Sequence, residues 1–177
     1  MNKITCLTAI LLFVISSFIS ASAQSWNIKD GYSIQFSGKY ASGSFKTLKG
    51  KIEFNPQNLS AAKFDVTIDV SSINTGIGLK DRHARSEKWF NVGKYPAIHF
   101  VSSSVTKTST GYEAKGELDM HGIRKPITIP FTFAHNGNNG IFSGAFKVNR
   151  SDFGLSTAKG DESDFTSLDI TVPVVSK

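Results

Sequence analysis

The sequence predicts an all-β domain of about eight antiparallel strands with one short helix after the third strand. Three observations carry that prediction. Apolar residues recur at every second position through most of the chain, Gly, Asn and Pro punctuate the intervals, and a single stretch, Asp81 to Phe100, breaks the pattern.

The chain opens with Lys3, an apolar run from Leu7 to Ile19 and the small residues Ala21-Ser22-Ala23. That order of charged, apolar and A-x-A segments is expected of a secretory signal peptide. Cleavage after Ala23 makes residues 1–23 the signal peptide and 24–177 the mature domain, exported to the periplasm or secreted. The only cysteine, Cys6, falls inside the leader, so the mature domain has to be held by its own core and not by disulfides.

Tyr32, Ile34 and Phe36 form the first alternating set, and Leu48, Gly50, Ile52 and Phe54 the second, closed by Asn55-Pro56. Phe64, Val66, Ile68 and Val70 alternate with Asp65, Thr67 and Asp69, giving a third strand with one apolar and one polar face. Next, Leu79, Arg82, Ser86 and Trp89/Phe90 recur at helical spacing, and Asp81 to Lys88 holds no Gly, Pro or β-branched residue. Gly93 and Pro96 are the expected stop, and a charged helix ending in two aromatics suits a lid over one end of a β structure. Ile98 with Phe100, Tyr112 to Met120, Ile127 to Phe133, Phe142 to Val148 and Leu168 to Val174 supply five more strands. His121-Gly122 and Asn136 to Gly140 read as hairpin turns, because Gly and Asn tolerate positive φ. Pro130 and Pro173 each remove a ladder donor, which predicts an edge, a bulge or a seam at those positions.

Strands with one apolar face either stack as a sandwich or close on themselves, and closure removes exposed edges. An eight-stranded barrel has an interior just wide enough for its own side chains or for one small ligand. The inward set mixes bulky Phe with Gly50, Gly116, Gly144 and Ala114. From the residues alone, an interior with room for a ligand and a dry interdigitated core are both open.

The formal net charge of +6 falls to +5 without Lys3, and its basic residues are scattered. That pattern suits a solvated surface with a mild attraction to anionic lipid head groups, and it does not suit nucleic acid. His83, His99, His121 and His135 fall in separate elements without ligand spacing, so no metal is expected. No G-x-S-x-G or phosphate-cradling loop occurs, and no catalytic residue and no cofactor are expected. Two charged clusters remain, Asp81 to Arg85 on the helix and Asn149-Arg150-Ser151-Asp152-Phe153-Gly154 after the seventh strand. Arg82, His83 or Arg150 suits an anionic head group at a barrel mouth, whereas the architectural reading pairs Arg150 with Asp81 or Asp152. Trp89, Phe90, Phe153 and Phe165 form an aromatic set, either narrowing an apolar tunnel or packing under long connections.

Four separated blocks give these features a common frame. They are Ser72-Ile73-Asn74-Thr75-Gly76 leading to Asp81-x-His83-x-Arg85-Ser86, Trp89-Phe90-Asn91-Val92 with Lys94-Tyr95-Pro96-Ala97-Ile98-His99-Phe100, Gly116 to Pro126, and Asn149 to Gly154. In this order they resemble the YceI-like family of exported, lipocalin-like, polyisoprenoid-binding proteins, over essentially the whole mature chain. The resemblance implies an eight-stranded lipocalin-like barrel around a long hydrophobic chain, an isoprenoid or similar amphiphile as partner, and no enzymatic activity. It departs at the N-terminal part, where Tyr32-Ser33 and Lys39-Tyr40 stand in place of the usual histidines. The residues expected at a ligand site are Phe36, Phe100, Phe142 and Phe146 from strands, Leu79, Arg82, His83, Trp89 and Phe90 from the helix, and Arg150 and Phe153 from the later loop. The reading leaves room for a homodimer. Two other functions compete with it: an envelope enzyme acting on an isoprenoid or quinone through His83 and Asp81, and a solid-barrel structural protein.

Overall fold

The computed structural model describes residues 24–155 and 164–177. The expected signal peptide lies outside the described residues. The strand segments are β1 (Ser25–Ile28), β2 (Ser33–Gly38), β3 (Ser42–Phe45), β4 (Leu48–Glu53), β5 (Lys63–Asp69), β6 (Ile73–Asn74), β7 (Ala97–Lys107), β8 (Tyr112–Met120), β9 (Ile123–Asn136), β10 (Asn139–Asn149) and β11 (Phe165–Ser176). One α-helix, α1 (Gly78–Arg85), lies between β6 and β7.

These segments make an eight-stranded closed antiparallel barrel. β1, β4, β5, β7, β8, β9, β10 and β11 follow one another around a ring that β1 closes against β11. β11 pairs with β1 near its C-terminus (Trp26 opposite Ser176) and with β2 nearer its start (Ile34 opposite Ile170), so β1 and β2 are two pieces of one barrel strand. β3 with β4, and β5 with β6, are split in the same way, β3 pairing with both β2 and β6. The expected eight strands are therefore present, and the helix follows the third of them.

The two prolines sit where the ladder changes. β9 pairs with β10 only from Thr132, opposite Ser143, to Asn136, so Pro126 and Pro130 lie in a part of β9 that has β8 alone as ladder partner. Pro173 falls where the neighbour of β11 changes from β2, last paired at Thr171, to β1, first paired at Val174. A residue without an N–H is accommodated at such breaks because no ladder donor is needed there. The hairpin between β8 and β9 turns on His121 (φ 56°) and Gly122 (φ 75°), the double positive φ of a tight two-residue turn.

Inward residues alternate along every strand, and they divide the interior into two ends. At one end Phe54, which is fully buried, meets Tyr112, Phe131, Phe133, Phe142 and Phe64 at ring centroid distances of 5.0, 5.5, 5.1, 5.5 and 6.2 Å. Most of these contacts are edge-to-face, the arrangement favoured by the ring quadrupoles. Trp26 completes the cluster, its ring 5.1 Å from Phe133 and its Nε1 donating to the Phe54 carbonyl at 2.9 Å. This end is a filled aromatic plug.

Candidate functional site

The opposite end holds a cavity of about 330 Å³. Its wall is built from inward positions of the strands: Phe36 and Gly38 on β2, Phe45 on β3, Ile68 on β5, Ile98 on β7, Leu118 and Met120 on β8, Phe146 and Val148 on β10, and Thr166, Leu168 and Ile170 on β11. Alternation puts them there, since each is two residues from the next on its strand. The remaining wall comes from α1 and the segments beside it, namely Ile73, Thr75, Lys80, His83, Ala84, Trp89 and Phe90, and from Tyr40, Ala41, Arg150 and Leu155. The surface is therefore mostly aliphatic and aromatic, and its charged groups, Lys80, His83 and Arg150, are cationic or become so on protonation.

The helix is held at the mouth by polar contacts and not by a buried face, for none of its residues is buried. Asp81 Oδ1 accepts from the Thr75 N–H at 2.8 Å and from Thr75 Oγ1 at 2.6 Å. These two hydrogen bonds hold the Asp81 carboxyl below its ordinary pKa, with a smaller contribution from the charge of Arg85. Arg85 donates from Nη1 to the Ser71 carbonyl at 3.0 Å. The helix ends earlier than expected. Ser86 Oγ donates back to the His83 carbonyl at 2.7 Å and the chain then folds on itself, with Phe90 N bonded to Ala84 O and Asn91 at a φ of 46°. This cap stops the helix at Arg85, so Trp89 and Phe90 lie on the following turn, from where they still reach the cavity. Phe90 packs edge-on to Phe45 at 6.2 Å.

Arg150 has neither of its expected partners. Its Nη2 lies 3.6 Å from Oδ1 of the fully buried Asp164, its Nε donates to the Asp164 carbonyl at 3.3 Å, and its guanidinium sits 5.4 Å from the Tyr40 ring centroid. Asp152 is nearer in sequence and Asp81 much farther, but Asp164, the residue before β11, is brought alongside by the long β10–β11 ladder. Tyr40 also reaches the cavity. Tyr32 serves the frame, its hydroxyl donating to the Lys46 carbonyl and accepting from the Leu48 N–H.

Six of the expected site residues surround the cavity: Phe36, His83, Trp89, Phe90, Phe146 and Arg150. Five do not. Leu79 is 56% exposed and Arg82 is exposed, both on the solvent side of the helix. Phe142 is stacked on Phe133 at 4.4 Å within the plug. Phe153 is buried in the turn after β10, where its carbonyl accepts from His121 Nδ1 at 3.1 Å. Phe100 is buried opposite Leu118 of β8 and does not line the cavity. The aromatic set of Trp89, Phe90, Phe153 and Phe165 does not converge, since Phe165 is 44% exposed on the outer surface. Sequence reasoning missed Lys80, Tyr40, Thr75, Leu168 and Ile170 as cavity residues. For Leu168 and Ile170 the alternation was visible, but which end of the barrel they faced was not.

Among the described residues no group of three or more His, Cys, Asp or Glu could hold a metal ion, and no helix is long and apolar enough to cross a membrane.

Known proteins share this architecture. The BcnA protein of Burkholderia cenocepacia superposes with a TM-score of 0.75 at 24% identity, covering 83% of this chain and 99% of that one. The Campylobacter jejuni YceI protein gives a TM-score of 0.67 at 25% identity over 100% of this chain and 99% of that one. A polyisoprenoid-binding domain from Saccharophagus degradans, implicated in plant cell wall breakdown, gives 0.63 at 16% identity over 88% and 99%. In sequence, the UPF0312 protein YE1254 of Yersinia enterocolitica is 33% identical over 136 residues, 73% of this chain and 71% of that protein. The model of the YceI-like domain matches residues 26–175, and the chain belongs to that family.

Proposed function

We propose that the chain binds the tail of an amphiphilic lipid, of prenyl or acyl type, in the barrel cavity, and stores, carries or sequesters it in the cell envelope after export. The observation that carries this reading is the apolar cavity of about 330 Å³ at one end of a barrel whose other end is filled. A pocket of this size and lining, with a few convergent polar groups, suits a small apolar ligand. Each methylene withdrawn from water contributes about 0.8 kcal/mol, so a tail gives affinity without specific polar contacts. Lys80, His83 and Arg150 supply hydrogen-bond donors for an anionic or carbonyl-bearing head group at the mouth. The polyisoprenoid-binding activity of the Saccharophagus domain, which shares the fold, supports the same class of ligand.

No catalytic step is assigned. Asp81, the partner that an enzymatic reading gives to His83, directs Oδ1 to Thr75. Native mass spectrometry of protein purified without detergent, followed by organic extraction, tests the binding reading. A stoichiometric adduct that extracts as a prenyl or acyl compound is the expected result. An unmodified mass, with no uptake of isoprenoids, quinones or fatty acids after incubation, sinks it.

A further inference from the structure

Leu79 and Arg82, expected at the ligand site, lie outside the cavity but at its mouth, on a side of α1 that is open to solvent. Of the other helix residues, Lys80, His83 and Ala84 border the cavity, whereas Asp81 and Arg85 tie the helix to Thr75 and Ser71. Leu79 has company at this end. Among the described residues, the large apolar side chains left exposed are Tyr40, Ile77, Leu79, Ile123, Ile141 and Phe165. All but Ile141 lie at the mouth. Ile77 immediately precedes α1, Tyr40 borders the cavity, Ile123 pairs with Met120 of the wall, and Phe165 pairs with Asn149 beside Arg150. Ile141 is at the plug end, next to Phe142. Scattered apolar residues are ordinary on a protein surface, whereas their collection around one opening marks an interaction face.

Charge selects the partner. Residues 78–94 hold five basic side chains, Lys80, Arg82, Arg85, Lys88 and Lys94, against Asp81 and Glu87. The Asp81 carboxylate is engaged with Thr75, Lys39 stands beside the Tyr40 ring, and Asp152 lies on the neighbouring turn. Exposed apolar side chains set among surplus cations are what an element lying in the head-group layer of an anionic membrane requires. Resting for its purpose on the lipid-binding reading above, we propose that the mouth end is a docking surface for an anionic lipid bilayer. Tyr40, Ile77 and Leu79 enter the head-group layer, and the basic residues of 78–94 meet the lipid phosphates. The cavity then opens onto the membrane. A tail of many methylenes is costly to carry through water, and docking lets it pass between bilayer and barrel without that step.

The test is flotation of the protein with vesicles of one part phosphatidylglycerol to two parts phosphatidylcholine, and with vesicles of phosphatidylcholine alone. The wild type is expected to float with the anionic vesicles at low ionic strength. It should partition weakly to the neutral ones, and should be released by about 1 M salt, where the screening length falls to about 3 Å. The double variant Ile77→Ser with Leu79→Ser should lower partitioning about tenfold. Arg82→Gln with Lys88→Gln should lower it about thirtyfold. Ile141→Ser, equally exposed but at the plug end, should float like the wild type. All five side chains are exposed, and thermal unfolding of each variant checks that the barrel is intact. A wild type that ignores anionic vesicles overturns the docking surface, as does an Ile141→Ser loss that matches the Ile77/Leu79 loss. Dimerisation abolished by the Ile77/Leu79 variant, without flotation, assigns the face to a second copy of the chain and also overturns it. Uptake of a C15 prenol, followed by native mass spectrometry, separates the two readings. Uptake without flotation leaves the lipid reading standing and removes the docking surface, whereas flotation without uptake supports the surface and removes the lipid reading.

Discussion

Phe142 and Phe146 stand on the same strand and the same face, two periods of the alternation apart, yet they belong to different regions of the molecule. Phe142 is stacked on Phe133 at 4.4 Å and meets Phe54 at 5.5 Å, whereas Phe146 borders open space. On β11 the same contrast separates the fully buried Val174 from Ile170 on the cavity wall. The barrel is thus one scaffold with two interiors. At the plug end, interlocking aromatics give the packing density that stabilises a disulfide-free domain. At the cavity end, the wall forgoes those contacts and gains a place for a ligand, because unfilled space next to apolar atoms loses dispersion attraction.

The sharpest way to break the contrast is to empty the plug. Phe54→Ala removes a fully buried ring with five aromatic neighbours, and the expected loss is about 3–5 kcal/mol in denaturant unfolding. A loss below about 1 kcal/mol would mean that the plug is not the stabilising end.

A paired substitution on β11 comes next. Val174→Phe overpacks the plug and is expected to cost about 1–3 kcal/mol, whereas Ile170→Phe points into the cavity and is expected to change stability by less than about 1 kcal/mol. The same Ile170→Phe protein should lose uptake of a hydrophobic fluorescent probe. Equal costs at the two sites would contradict the division into a filled and an open end.

A smaller effect concerns the cover of the cavity. The Asp81 carboxyl, held below its ordinary pKa by Thr75, is charged and anchoring at neutral pH. Because its folded pKa is lowered, the contribution is complete above the unfolded value of about 4 and disappears as pH falls through the native value. Hydrogen exchange of the Thr75 amide should accelerate in Asp81→Ala at neutral pH, and in wild type only below about pH 4. Unchanged exchange in the variant would show that α1 is fixed by other contacts.

The smallest effect is expected on the outer face, where His99 Nε2 lies 2.8 Å from Asp65 Oδ1 with both side chains nearly half exposed. The hydrogen bond from His99 holds the Asp65 carboxyl below its ordinary value, and Lys63 and Lys51 add to this. Its contribution too is present above about pH 4 and lost as pH falls through the lowered native value. Solvent screening keeps such a pair to about 0–1 kcal/mol, so His99→Ala serves as the surface reference in urea unfolding against which the interior variants are read.

The sequence by itself determined the strands, because alternation of apolar and polar residues has one stable use, a sheet with a single buried face. It also placed the turn at His121-Gly122, where the chain needs two positive φ angles, and the breaks at Pro130 and Pro173, where a ladder donor is missing. Trp26 escaped notice because the four residues of β1 are too few to display a period. The helix was foreseen, but its end was not, since the stop is a Ser86 hydroxyl bonded backwards to His83 and not the more conspicuous Gly93 or Pro96.

Only the tertiary structure decided which inward residues share an end of the barrel. Period two tells a residue which face it occupies and says nothing of its height along the axis, which follows from strand stagger and closure around the ring. That is why Phe142 and Phe146 were indistinguishable in sequence, and why the open and the filled interior could not be chosen between when the structure contains both. The partner of Arg150 was decided in the same way. Asp164 is farther along the chain from Arg150 than Asp152 is, yet it lies adjacent across the ladder, and charge pairing follows distance in space.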